Sequence, residues 1–278
     1  MRRYIGKILF TTFLAFSLSA CFEERVIVKV KKDGSGIVEH YSYNNVDDAM
    51  GGLLSGLVDQ ESLEGAKETI EAKTKGEFDD AYFEKFASDM GEGVKIENYT
   101  LGSNSIGMKG YHATYSFEDI NNIAVKMREN LADEGQGQDL SGQKDAITQL
   151  PDFSMQDGVL SIKIPHEYDA SAINSEQASS ELDDIPPQML GMMAAMFQGM
   201  RVSVSIEGLD AIKETNAHHR DGDTVVLTDI QMDKLVSDLD ALKKMGNIET
   251  LPREEMQALA DATDGMDIDL QEEIIIRF

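Results

Sequence analysis

Cys21 is the only cysteine among 278 residues, and it directly follows Leu18-Ser19-Ala20. A lone thiol can serve as a nucleophile, a metal ligand or an attachment point; an intrachain disulfide and a cysteine-based zinc cluster both need more than one. A second concentration of sulfur lies in "QMLGMMAAMFQGM", Gln188 to Met200. On a three-turn helix, Met189, Met192, Met193, Met196 and Met200, with Leu190 and Phe197, cover nearly the whole circumference. Thioethers bind copper(I), yet the segment holds no histidine or cysteine to complete such a site. A helix apolar all round is usually buried. The functional alternative draws on the adaptability of methionine. In it Met189, Leu190, Met193, Met196, Phe197 and Met200 form a wall for an acyl chain or a hydrophobic partner.

His218 and His219 adjoin Arg220, Asp221 and Asp223, a grouping that invites a metal. Neighbours on a strand point to opposite faces, so the two imidazoles do not easily meet one ion; a solvated hairpin tip is the reading, with no metal site. His40, His112 and His166 stand isolated. "DATDGMDIDLQEE", Asp261 to Glu273, is rich in oxygen ligands. With Gly265 as the turn glycine, Ala260, Ala262 and Gln271 fall where an EF-hand needs ligands, so the pattern fails. Weak, irregular calcium binding remains as a minor alternative. No Gly-x-Ser-x-Gly elbow, phosphate loop, HExxH or dinucleotide glycine pattern occurs. Carboxylate pairs abound, as 51 Asp+Glu make inevitable. The expectation is a protein that is not an enzyme and uses no cofactor.

The residues before Cys21 give it a role. Arg2, Arg3 and Lys7 precede the apolar run Ile8 to Phe16, and Ser17, Ser19 and Ala20 follow. That is the layout of a secretory signal, with an apolar run well short of the roughly 20 residues of a bilayer span. "LSAC" in this setting resembles the lipobox of bacterial lipoproteins. The resemblance implies that residues 1–20 are a signal peptide and that Cys21 is lipidated on its thiol and on its new amino group. One acyl chain binds a membrane marginally, whereas two or three hold firmly. Phe22 and Glu23, with no Asp after the cysteine, fit retention at the outer membrane of a Gram-negative cell, facing the periplasm.

The formal net charge is −26, and removing the leader, which carries three cations and no acid, makes it more negative still. Such a body repels nucleic acid and an anionic lipid surface. A hydrophobic content of 41% nevertheless suffices for a core. A single acidic domain over 21–278 is expected.

The elements that would position these residues follow from periodicity. Arg25 to Lys31 alternates, with Val26, Val28 and Val30 on one face, and "KDGSG" turns the chain into a return strand, Ile37 to Tyr43, with Ile37, Tyr41 and Tyr43 sharing a face. Residues 45–90 read as a helical insertion, in which Tyr82, Phe86 and Met90 recur every four residues before Gly91. Strands are expected at Val94 to Leu101 and Ile106 to Phe117, the second with Tyr111, Ala113, Tyr115 and Phe117 on one face, followed by a helix over Ile120 to Leu131. Asp157-Gly158 joins Phe153 to Gln156 with Val159 to Ile164. Arg201 to Glu207 is a strand, and Asp221-Gly222 links Ala211 to Asn216 with Thr224 to Thr228. Thr228 and Gln231 form a capping-box pattern opening a helix with Leu235, Val236, Leu239 and Leu242 along one face, which Gly246 ends. From 250 a short helix, Pro252 to Ala262, an acidic loop and a last strand, Glu273 to Phe278, complete the chain. The three Asp-Gly hairpins predict an α+β fold, an antiparallel sheet with helices covering one face.

The lipobox, the almost immediate strand, "KDGSG" and the block "RVSVSIEG…AIKETNAHHRDGDTVVLTDIQMDKL" resemble the LppM-like bacterial envelope lipoproteins. The likeness covers about the first 25 residues after the leader and roughly 201–245. It implies an α+β periplasmic domain without catalytic residues, associated with lipids or other envelope components. The expected function is therefore that of a lipid-anchored envelope protein binding a hydrophobic ligand or a membrane-associated protein partner. The alternative is a structural or accessory subunit without a small ligand.

Overall fold

Alternating burial organises the first hairpin of the computed structural model, which describes residues 22–44, 78–125, 151–164, 199–235 and 253–278. Strand β1 is Phe22–Val30 and β2 is Gly36–Asn44. They pair antiparallel, with Val28 opposite Val38 and Val26 opposite His40. The Asp33 carboxylate closes the turn by accepting the Ser35 amide at 3.0 Å and hydroxyl at 2.8 Å. Glu24, Val26, Val28 and Val30 face the interior, as do Val38, His40 and Ser42. Burying each valine is worth about 1.5–3 kcal/mol, and an exposed ion pair at most about 1 kcal/mol. The valine pattern, rather than the Lys29 pairs with Glu39 and Glu207 on the outer face, therefore sets the register. The strand starts at Phe22, three residues before the alternation became evident in sequence, which brings the folded body up against Cys21.

Helix α1 covers Asp80–Met90, and its first turn is capped by Asp79, whose carboxylate accepts the Tyr82 amide. Phe83, Ala87 and Met90 form its buried stripe, with Tyr82 and Phe86 alongside. Strands β3 (Lys95–Ser103) and β4 (Lys109–Phe117) form the next hairpin, and Tyr111, Ala113, Tyr115 and Phe117 are buried on one face as their spacing predicts. The helix expected from Ile120 is, over its described part, a single 3-10 turn, Ile120–Asn122. Asp119 accepts the Asn121 amide, and Ile123 then turns extended to bridge Gly91. Burying Ile120, Ile123 and Val125 under the sheet outweighs the weak helical preference of this polar stretch.

Strands β5 (Asp152–Gln156) and β6 (Val159–Lys163) flank the turn Asp157-Gly158, both with positive φ, as a tight hairpin requires. Strand β7 is Arg201–Gly208, β8 Glu214–Thr215, β9 Arg220–Asp221 and β10 Thr224–Gln231. Here two expectations fail. Residues 211–216 do not return along β10; β8 joins a different sheet, and β9 pairs with β10 across Gly222 and Asp223. Nor do Thr228 and Gln231 cap a helix, because both belong to β10. Their backbones pair with β7, and Thr228 also with β11 (Met266–Ile268), against which helix α3 (Arg253–Asp261) packs through Ala260 and Met266. Helix α2, Met232–Leu235 as described, begins only afterwards. Pairing on both edges of a strand outbids a local capping motif.

The large sheet runs β11-β10-β7-β1-β2-β4-β3, with β9 beside β10. It is mostly antiparallel, but β1 and β7 lie parallel, with Glu23 opposite Arg201 and Val30 opposite Gly208. A second sheet has the order β5-β6-β12-β8, where β12 is Glu273–Arg277. Phe153, Leu160, Ile162, Ile274, Ile276 and Phe278 share one core with Val26, Val28, Tyr111 and Phe83. Cover for the inner face of the large sheet therefore comes from this second sheet as well as from α1, and the chain's last strand is central to the small sheet rather than an edge of the large one.

Candidate functional site

Strand polarity gathers one set of residues at one end of the large sheet. Phe22 lies opposite Asn44, Asn44 opposite Lys109, Ser103 opposite Lys109, Glu23 opposite Arg201, and Arg201 opposite Gln231. The chain thus enters the sheet where it emerges from the predicted anchor, and re-enters it there after the methionine-rich segment. Gly199 sits at the tip of the β3–β4 hairpin with φ 76°, and any side chain on it would collide with Ile106 Cδ1. The tip itself is shaped by Asn104, whose side-chain oxygen accepts the amides of Ile106 at 3.1 Å and Met108 at 2.9 Å. Its side-chain nitrogen donates to Glu23 at 2.7 Å, which ties the tip to β1. Met108 is buried beneath, while Ile106 and Leu101 remain 52% and 46% exposed.

An ion pair stiffens the same end. Arg201 donates from Nε and Nη2 to the two oxygens of Asp229 at 2.7 and 2.6 Å. These bonds hold the guanidinium's pKa above its ordinary value despite partial burial, and the two-pronged geometry makes this the strong kind of charged hydrogen bond.

Of the residues expected to bind, Met200 is placed at this end, half-buried, with its carbonyl accepting the Met232 amide. Cys21, Met189, Leu190, Met193, Met196 and Phe197 lie outside the described residues. The histidine pair is found apart from this end. His218 is exposed, its amide donating to Asp269, and His219 lies between Asp261 at 3.4 Å and Asp267 at 3.7 Å. Among the described residues no group of three or more histidine or acidic side chains is arranged to hold a metal. Asp269, the buried carboxylate of the acidic tail, already accepts the amides of His218 and Gln271 and the Gln271 side chain. Its oxygens are occupied in closing the chain.

Two constellations went unread in the sequence. Glu24, His40, Tyr111 and Tyr82 form a chain: His40 Nε2 lies 2.7 Å from Glu24 Oε1, Tyr111 OH 3.3 Å from His40 Nδ1, and Tyr82 OH 3.3 Å from Tyr111 OH. A carboxylate, an imidazole and a phenol in line are the parts of a proton relay. Glu24, His40 and Tyr111 are 2%, 1% and 0% exposed, however, so no substrate reaches them in this packing. Burial, reinforced by Tyr82 and Glu24, pushes the Tyr111 phenol far above its usual range and keeps it neutral. The chain is a structural network in the aromatic core, where His40 stacks on Phe86 and Phe83 on Tyr99.

On the outer face, Arg25 lies 4.4 Å above the Tyr41 ring, and His112 stacks on that ring at 4.1 Å. Desolvation lowers the His112 pKa, against the opposing pull of Glu39 and with help from Arg25, Lys29 and His40. The folded state therefore binds its proton less readily than the unfolded state, whose histidine titrates near 6.5. As pH falls through that value, the unfolded chain takes up the proton first and stability drops. His112→Gln removes this contribution, so its urea midpoint, measured against wild type, should improve between pH 7.5 and pH 5.5; an unchanged difference would contradict the assignment.

No protein-family model matches the chain, and no curated protein matches it. Among solved structures, the NMR structure of the folded domain of Mycobacterium tuberculosis LppM is similar, at 10% identity and a TM-score of 0.29, covering 77% of this chain and 84% of that one.

Proposed function

We propose that the protein is a non-enzymatic lipoprotein of the LppM-like kind, held by a lipidated Cys21 at the periplasmic side of the bacterial outer membrane. There it binds a hydrophobic ligand or membrane-associated partner through the segment Met189 to Met200. The observation that carries this reading is the parallel pairing of β1 with β7. With Glu23 opposite Arg201 and neighbouring strands about 4.8 Å apart, the second residue after the anchor and the first residue after the methionine segment enter the sheet side by side. A hydrophobic segment tethered there meets its ligand at the membrane surface.

The decisive experiment is Cys21→Ser. Detergent-phase partitioning of cell extracts should move the variant almost wholly to the aqueous phase, and a variant that stays with detergent would refute the anchor. Native mass spectrometry of gently purified wild type should then show co-purifying lipid. The accessory-subunit reading draws on β3, an edge strand of the large sheet exposed along most of its length and open to strand addition by a partner. Its signature is a crosslinked protein partner with no bound lipid.

A further inference from the structure

We infer that the tip of the β3–β4 hairpin, Leu101 to Lys109, is a second membrane contact that dips into the lipid interface beside the anchor. The inference rests on the anchored reading above and adds an orientation to it. Among the described residues only three large hydrophobic side chains are exposed, Leu101, Ile106 and Leu209. A single one would need no explanation. Two of the three lie on this hairpin, and its tip stands at the sheet end where β1 begins at Phe22.

Charge points the same way. The chain carries 51 Asp+Glu, yet no acid occurs from Asn98 to Phe117. A stretch without acids is one that an anionic lipid surface repels least on a strongly acidic body. Among the described residues at this sheet end, Glu23 is paired with Arg25 and accepts a hydrogen bond from Asn104, and Asp229 is paired with Arg201. The Asn104 hydrogen bonds satisfy the amides of Ile106 and Met108 within the loop, which lowers the cost of moving this backbone toward hydrocarbon. Leu209, by contrast, follows β7 at the opposite end, its amide donating to Val30.

The chain contains no tryptophan, so an introduced one reports alone. The full lipidated protein carrying Ile106→Trp, with Leu101→Trp as a second variant and Leu209→Trp as the opposite-end control, is reconstituted into phosphatidylethanolamine–phosphatidylglycerol vesicles with or without brominated acyl chains. Flotation reports the anchor, and quenching reports the tip. The expected result is at least two-fold quenching at positions 106 and 101 and none at 209. Protein that floats without quenching at either tip position, or with equal quenching at 209, overturns the tip and leaves the anchor standing. Protein that fails to float refutes the anchor. In that case vesicles are added to the protein in solution: a blue shift confined to the tip variants still supports the contact, and no shift removes it.

Discussion

His40→Ala should lower the thermal midpoint by roughly 10 °C, the shift that about 3 kcal/mol produces in a domain of this size. The imidazole is 1% exposed, stacks on Phe86 at 4.9 Å between ring centres, and meets Tyr111 edge-on at 5.4 Å. Its removal opens a cavity among aromatic rings and takes from Glu24 the partner at 2.7 Å and from Tyr111 the one at 3.3 Å. Truncating one side of a buried, hydrogen-bonded pair costs about 3–5 kcal/mol, far above the few tenths expected for the exposed Lys85–Asp89 pair. Glu24→Gln in the His40→Ala background should cost less than it does alone, because the hydrogen bond it disturbs is already gone. Circular-dichroism melts of the four species measure this coupling, which should exceed about 1 kcal/mol. A loss below about 1 kcal/mol for His40→Ala would show that the network holds nothing together.

Alternate residues of the last strand should differ sharply. Ile274 and Ile276 are fully buried and Ile275 is not. Ile274→Ala should reduce unfolding free energy by about 3–4 kcal/mol, within the range for emptying a packed isoleucine site. Ile275→Ala, on the other face of the same strand, should cost about 1 kcal/mol, since less surface leaves water there. Strand β12 lies between β6 and β8 and has Ile274 opposite Ile162, so the damage falls at the centre of the small sheet. Urea unfolding of both variants decides the matter, and equal losses would mean the strand is not sandwiched as described.

The inward faces of β1 and β4 were legible, and so were most strand bounds, but in β2 the face shared by Ile37, Tyr41 and Tyr43 is the outer one and Val38, His40 and Ser42 are buried. Val26, Val28 and Val30 announce an inward face, as do Tyr111, Ala113, Tyr115 and Phe117, and helix α1 begins and ends where its spacing and Gly91 require. The Glu24–His40 contact was within reach of the same reasoning, because Glu24 continues the valine face. It was missed because a slip of one residue in the "KDGSG" turn would turn His40 outward, and the turn length that excludes the slip is set by the Asp33 side chain. The capping-box reading of Thr228 failed for the opposite reason: a local motif was judged without the strands that claim its backbone.

By itself the sequence determined the acidic character, the inward faces of β1 and β4, and the turns at Asp33 and Asp157, while the start of the first strand one residue after the lone thiol emerged only in the structure. Only the tertiary structure decided that β1 lies parallel to β7, that β12 belongs to a second sheet, and that Ile106, Gly199 and Phe22 share one end. Hydrophobic alternation selects which face of a strand is buried but carries no information about which strand lies beside it. That choice is made by contacts between residues as far apart as Glu23 and Arg201, whose worth depends on the whole core closing around them.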